Sequence, residues 1–203
     1  MALKIDNVLW IACILLIIVL SNIYTFYFGR WFYERNDSNG KVFDILHEIT
    51  PDLHDHIPYN DIILGLTILS FMFIPNSAGI LKEFAGKFLL IMLVRSLTII
   101  STILPKHEKC SSEFKWYHLF KGQCYDKVFS GHTAFVLLAT LIYLREGIVS
   151  FPLFLAINVT NWAAIILTRS HYTVDIILAI VITWLVYDGD YHIFTDFMKK
   201  INL

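Results

Sequence analysis

His171 and Asp175 stand four residues apart in the run Arg169-Ser170-His171-Tyr172-Thr173-Val174-Asp175. On a helix this spacing puts both on one face, one turn from each other. A carboxylate there accepts a hydrogen bond from one imidazole nitrogen, which fixes the tautomer and leaves the other nitrogen's lone pair pointing outward. It also stabilises the imidazolium, as the third member of a nucleophile–base–orienter set does. A second histidine, His132, lies in Ser130-Gly131-His132-Thr133. Neutral imidazole attacks phosphorus and forms a phosphoramidate that is readily cleaved. A second imidazole protonates the departing alkoxide, worth about 10²–10⁴-fold in rate. Basic groups, with the backbone N–H groups that open a helix near Ser130 and Gly131, would hold the phosphate oxygens. This scheme calls for no metal and no other cofactor.

The elements that must position these residues follow from composition. The chain has 203 residues, 57% of them hydrophobic, and a mean hydropathy of +0.62. Soluble domains carry about 45–50% apolar residues, so an all-α, polytopic membrane protein is expected. The 16 Phe, 10 Tyr and 5 Trp supply aromatic belts at headgroup level. No basic tract points to nucleic acid. About six transmembrane helices are read from the apolar runs 7–28, 62–74, 84–104, 128–144, 149–167 and 169–187. The first is read as a retained span rather than a signal peptide, because it is long and no small-residue cleavage site follows. The second is short and is expected to continue past Pro75. Residues 1–203 form a single membrane domain, with a core at about 60–190.

Six spans put both termini on one side of the membrane. His132 opens the fourth and His171 the sixth, so both reach the same face, together with the polar loop 105–127. Charged groups at such depth are functional by default. The active-face loops carry eight basic residues and the opposite loops six, which mildly favours a cytosolic active face. The sequon Asn36-Asp37-Ser38 and the loop cysteines Cys110 and Cys124 pull toward a lumenal or extracellular one. The latter is adopted, in the Golgi, endoplasmic reticulum or plasma membrane.

Other features leave alternatives open. Arg95 lies within the third apolar run, where it either meets a carboxylate or substrate phosphate or snorkels to the surface. Cys110 and Cys124 are either bridged or two free thiols. Residues 30–60 read as a polar loop with a short amphipathic helix over 42–49. His47, His54 and His56 with Asp52 and Asp55 have no firm ligand spacing, so a solvated loop is expected there rather than a metal site. Residues 76–82 read as a turn, and oligomeric state is not indicated.

Phe129-Ser130-Gly131-His132-Thr133 and His171-Tyr172-Thr173-Val174-Asp175 resemble the paired histidine motifs of the lipid phosphate phosphatase superfamily. The nearer resemblance is to its sphingomyelin synthase branch. There the first motif reads Cys-Gly-Asp-x-x-x-Ser-Gly-His-Thr; here it runs from Cys124 through Asp126 to Thr133, with Tyr125 in place of Gly. Ala179 and Thr183 stand in register after the second motif. Arg95, Thr98, Thr102, Leu104 and Pro105 match a third pattern. The phosphatase branch has an Arg six residues before the second histidine, where this chain has Ile165. The branch's proline-rich segment is represented only weakly, by residues 50–54.

The resemblance implies a phospholipid headgroup transferase acting through a phospho-histidine. His171 would be nucleophile, Asp175 its orienter and His132 the acid and then the base. Arg95, Ser130, Gly131 and Thr133 would bind the substrate phosphate. The partners would be a membrane phospholipid donor, of phosphocholine or phosphoethanolamine, and a lipid alcohol acceptor, ceramide or diacylglycerol. Two other readings stand beside it: a lipid phosphate phosphatase that delivers the group to water, and a non-catalytic lipid-binding membrane protein.

Overall fold

The computed structural model describes residues 5–36, 42–54, 58–74, 77–102, 104–105 and 127–189, and no strand occurs among them. Helix α1 (Ile5–Tyr24) passes through a π-helical turn (Thr25–Gly29) into α2 (Arg30–Asn36). Then follow α3 (Ile45–Ile49), α4 (Pro58–Ser70), α5 (Ser77–Ser101), α6 (Gly131–Arg145), α7 (Phe151–Leu167) and α8 (Thr173–Asp188).

Helix α6 is the axis of the bundle. Its stretch Ala134-Phe-Val-Leu-Leu-Ala-Thr-Leu-Ile-Tyr143 is buried throughout, as expected of a helix that is apolar on every side. Helices α4, α5, α7 and α8 all pack on it, and α1 packs on α5. Phe71, Phe84, Phe88 and Phe135 interlock at its centre, with Phe84 and Phe135 edge to face at 4.7 Å. Such a pair contributes about 0.5–1.5 kcal/mol beyond its buried area.

The outer faces are apolar as well. Leu16 and Leu20 on α1, Leu66 on α4, Leu97 on α5, Val159 on α7, and Val174, Ile177 and Leu185 on α8 are all exposed. A bundle that is apolar inside and out suits lipid, not water. Two helices, Asn7–Gly29 and Ser77–Ser101, are long and apolar enough to cross a bilayer. The other four of the six expected spans are shorter: α4, α6, α7 and α8 have 13, 15, 17 and 16 residues. At 1.5 Å per residue these are about 20–26 Å long, against a hydrocarbon core of about 30 Å.

Several expected boundaries move for local reasons. The first helix does not stop at Gly29-Arg30: Arg30 Nε meets Glu34 one turn on at 2.6 Å, and the helix continues to Asn36. Residues 77–82 are helical, not a turn, because Asn7 donates to Ser77 Oγ at 2.5 Å and Glu83 pairs with Lys87 at 3.1 Å. Helix α4 ends at Ser70, short of Pro75, where the chain turns to drive Phe71 into the core. The amphipathic helix expected over 42–49 is shorter, Ile45–Ile49, with Asp44 as its N-cap. Cys110, Cys124, His56, Asp55, most of the 105–127 loop and residues 190–203 lie outside the described residues.

Candidate active site

The chain alternates direction through α1, α4, α5, α6, α7 and α8, so the start of α4, α6 and α8 and the end of α1 and α5 share one end of the bundle. A cavity of about 50 Å³ opens there. His132, Gly131, His171 and Arg95 line it with Ser21 and Asn22, while Ile18, Leu64, Phe88, Met92 and Phe135 form its apolar floor. One water needs about 10–15 Å³ in this measure, so the space suits a group of a few heavy atoms, the size of a phosphoryl group.

His171 comes one residue before the start-cap of α8, in the turn from α7. Its Nδ1 lies 3.4 Å from Asp175 Oδ2, and the two side chains are 6% and 0% exposed. That is an ion-pair distance, longer than a tight N–H···O bond. The same oxygen accepts the Tyr172 backbone N–H at 2.9 Å, which fixes the carboxylate. The Asp175 carbonyl accepts the Ser130 N–H at 3.4 Å, joining the two histidine motifs directly.

Ser130 caps α6. Its Oγ accepts the Thr133 N–H at 3.2 Å and the Thr133 hydroxyl at 2.9 Å. Such a cap contributes about 1 kcal/mol. Both side chains are fully buried and lie outside the cavity lining. Of the expected phosphate-binding group, therefore, Arg95 and Gly131 line the cavity, whereas Ser130 and Thr133 hold the helix that presents His132. A Cβ at Gly131 would sit 3.5 Å from Arg95 Nε, an ordinary contact distance, so the glycine lies directly against the guanidinium without being sterically required.

Arg95 is buried, as its central position in the third run implied. Its Nη1 donates to Ser21 Oγ at 2.8 Å and Thr25 Oγ1 at 3.3 Å, and its Nε to the Phe129 carbonyl at 3.4 Å. These partners hold the guanidinium in place. The π-helical turn begins at Thr25, and such turns gather at functional sites. Phe129 has φ 141°, a region that favours glycine, and this strained backbone aims its carbonyl at Arg95.

Sequence reasoning missed Asp61. It lies in the first turn of α4, and its Oδ1 is 3.1 Å from His132 Nε2. A carboxylate only accepts, so Nε2 carries the hydrogen. The signal that could have found it was already in use: Asp61 opens an apolar run, and six alternating spans put the start of the second on the face of His132 and His171.

The segment 42–54, expected as a solvated loop, is exposed along much of its length but buries Asp44 and His54. It lies across the α7–α8 turn as a strap. His47 Nε2 is 3.1 Å from the His171 carbonyl, His54 Nδ1 is 3.1 Å from the Thr168 carbonyl, and Leu53 N donates to Leu167 O at 2.7 Å. Among the described residues no three of His, Cys, Asp or Glu converge as metal ligands. Burial lowers the pKa of His47, aided by the nearby Arg169 and Lys127 charges and opposed by Asp44. Burial acts to raise the pKa of Asp44, but hydrogen bonds from Thr173 and His47 outweigh it and hold the carboxyl below the ordinary range.

A helical bundle with an apolar outer surface and two spanning-length helices, with two histidines and an arginine lining a small, largely apolar cavity, suits a membrane protein. Residues 123–193 match the family model described as PAP2 superfamily C-terminal. The matched stretch contains His132, His171 and Asp175, and it supports the lipid phosphate phosphatase superfamily, whose members generally act on phosphoesters. Ser21, Asp61 and Arg95 complete the site from outside that stretch.

Proposed function

We propose that this protein is a phospholipid headgroup transferase, moving phosphocholine or phosphoethanolamine from a glycerophospholipid to ceramide or diacylglycerol. The observation that carries the reading is the cavity itself: two histidines and a buried arginine face one phosphate-sized space, and each histidine has a carboxylate against one ring nitrogen.

In the first step His171 Nε2 attacks the donor phosphorus. The bond from phosphorus to the diacylglycerol oxygen breaks, and protonated His132 gives its proton to that oxygen. With Nε2 of His132 held by Asp61, its Nδ1 is the nitrogen that serves the leaving oxygen. In the second step the acceptor hydroxyl attacks phosphorus, the P–N bond breaks, and His132 takes the hydroxyl proton. Asp175 orients His171 and stabilises its positive charge. Arg95 and the opening N–H groups of α6 stabilise the non-bridging oxygens. Ser130 and Thr133 act through the position of α6.

In this reading α1, α4, α5, α6, α7 and α8 all cross the bilayer, and the shorter four are accommodated by local thinning. The site faces the lumen or the exterior, the side on which Asn36 would carry sugar. The cavity takes the headgroup while the acyl chains remain in lipid, and the apolar floor limits water at the phospho-histidine.

The test uses the protein in liposomes with phosphatidylcholine or phosphatidylethanolamine labelled in the headgroup, together with ceramide or diacylglycerol. Label on the acceptor, abolished by His171→Ala with a loss of about 10⁴-fold or more, is the expected result. Label released only into water would convert the assignment to a hydrolase, which the superfamily match accommodates equally. Unchanged turnover in His171→Ala would end the phospho-histidine mechanism.

A further inference from the structure

We infer that Asp44 and His47, on the strap, are positioning residues that set where His171 stands. The inference rests on the phosphotransferase reading above. His171 belongs to a non-helical turn, so the helical ladder does not hold it, and other bonds must fix its backbone. The strap supplies them on both sides of the histidine.

After His171, Asp44 caps α8 from outside. Its Oδ2 accepts the Thr173 N–H at 2.6 Å and its Oδ1 accepts the Thr173 hydroxyl at 2.7 Å. Asp44 Oδ1 also accepts the His47 N–H at 3.0 Å, so one carboxylate ties the strap to the start of α8. A negative charge at a helix N-terminus is favourable in its own right.

At His171 itself, His47 Nε2 meets the carbonyl at 3.1 Å. A carbonyl only accepts, so Nε2 carries the hydrogen; neutral His47 satisfies this with one tautomer. The His47 ring also lies against Tyr172, centroids 5.3 Å apart. Before His171, Arg169 has φ 56°, a left-handed conformation usually given to glycine at a helix end. Its side chain explains the choice: the guanidinium donates to the carbonyls of His47 and Thr50 at 2.7 and 2.5 Å.

The strap therefore grips positions 169, 171 and 173, every second residue around the nucleophile. Asp175 rides on α8, so releasing Asp44 from Thr173 shifts the nucleophile and its orienter relative to His132 and Arg95. The aromatic core beneath them does not depend on the strap. In-line attack requires reacting atoms about 3–3.5 Å apart, and a displacement of about 1 Å costs about 100-fold.

The experiment measures headgroup transfer by the full-length protein in liposomes of labelled phosphatidylcholine or phosphatidylethanolamine with ceramide or diacylglycerol. The variants are Asp44→Asn, His47→Ala, His47→Gln and His171→Ala, each normalised to its folded fraction by thermal unfolding. We expect kcat to fall roughly 10- to 100-fold in Asp44→Asn and His47→Ala, with KM unchanged. His47→Gln, whose amide nitrogen reaches the place of Nε2, restores most of kcat. Wild-type kcat in both strap variants beside an inactive His171→Ala overturns the inference and leaves the catalytic reading standing. Equal loss in His47→Gln and His47→Ala, or a change in KM alone, also overturns it. Activity in His171→Ala overturns the catalytic reading, and this inference with it. Should Asp44→Asn not fold, the two His47 variants decide.

Discussion

The two histidine–carboxylate pairs of the cavity are built in opposite ways. His171 and Asp175 come from one short stretch of chain, lie 3.4 Å apart and are almost wholly buried. His132 and Asp61 come from α6 and α4, lie 3.1 Å apart, and their side chains are 15% and 33% exposed. The carboxylates also take different ring nitrogens, Nδ1 in the first pair and Nε2 in the second. A nucleophile must keep one tautomer and one direction through two chemical steps, and burial with a rigid local partner provides that. A proton carrier must gain and lose its proton, and a partly exposed partner leaves it in touch with solvent. On the proposed mechanism, rigidity and exchange are divided between the two pairs.

If this division is right, the first pair is the more sensitive. Asp175→Asn should reduce transfer by about 10³–10⁴-fold with the fold intact, because an amide promotes the wrong imidazole tautomer. Steady-state rates beside a thermal melt would check it, and a loss under tenfold would break the comparison. His132→Ala should cost about 10²–10⁴-fold on a natural lipid. On a donor with an aryl leaving group, which departs unprotonated, most of that loss should vanish, whereas the Asp175→Asn loss should not. Equal losses of both variants on both donors would show that the roles are not separated.

Asp61→Asn should have a small effect. A partly exposed pair contributes about 0–1 kcal/mol, so the rate should fall by at most about fivefold. A loss as deep as that of Asp175→Asn would make the two carboxylates equivalent.

The smallest effect concerns pH and the strap. His47 has a lowered pKa in the folded protein, so the unfolded strap binds a proton first as pH falls through the ordinary value of 6.5. The stability it contributes is therefore full above that value and declines below it, toward the lowered one. Asp44 behaves in a lower window: its contribution is present above the ordinary 3.8 and is lost as pH falls toward its lowered value. Hydrogen exchange of amides 44–50 should accelerate at pH 5.5 relative to 7.5, after correction for intrinsic rates, while α6 stays protected. Uniform protection at both values would detach His47 from strap stability.

What could be read from the sequence follows the same local and non-local divide. The six apolar runs were visible because each carries its own hydrophobic signal, and they recur as α1, α4, α5, α6, α7 and α8. His171–Asp175 was visible because the two are four residues apart, although they do not share a helical face as the spacing predicted: His171 lies in the turn ahead of the Tyr172 N-cap, and Asp175 reaches back to it from the first turn of α8. His132–Asp61 was not, because its members are 71 residues apart and only packing of α4 on α6 joins them. The packing of the strap was not foreseen because its polar residues look solvated; many of their partners are backbone groups of the α7–α8 turn, which bear no side-chain signature. The start of α5 was missed for a related reason: Ser77 is secured by Asn7, from another helix.

The grip of His47 on His171 joins residues 124 positions apart. At about 5–20 residues per second, the ribosome completes the strap some 6–25 s before it makes the turn that the strap will hold. Within that interval the segments carrying Asp61, Arg95 and His132 are made in turn, all before the residue proposed as nucleophile. On the proposed mechanism the chain becomes able to react only when the α7–α8 turn has been made, and a chain cut before that turn has no nucleophile.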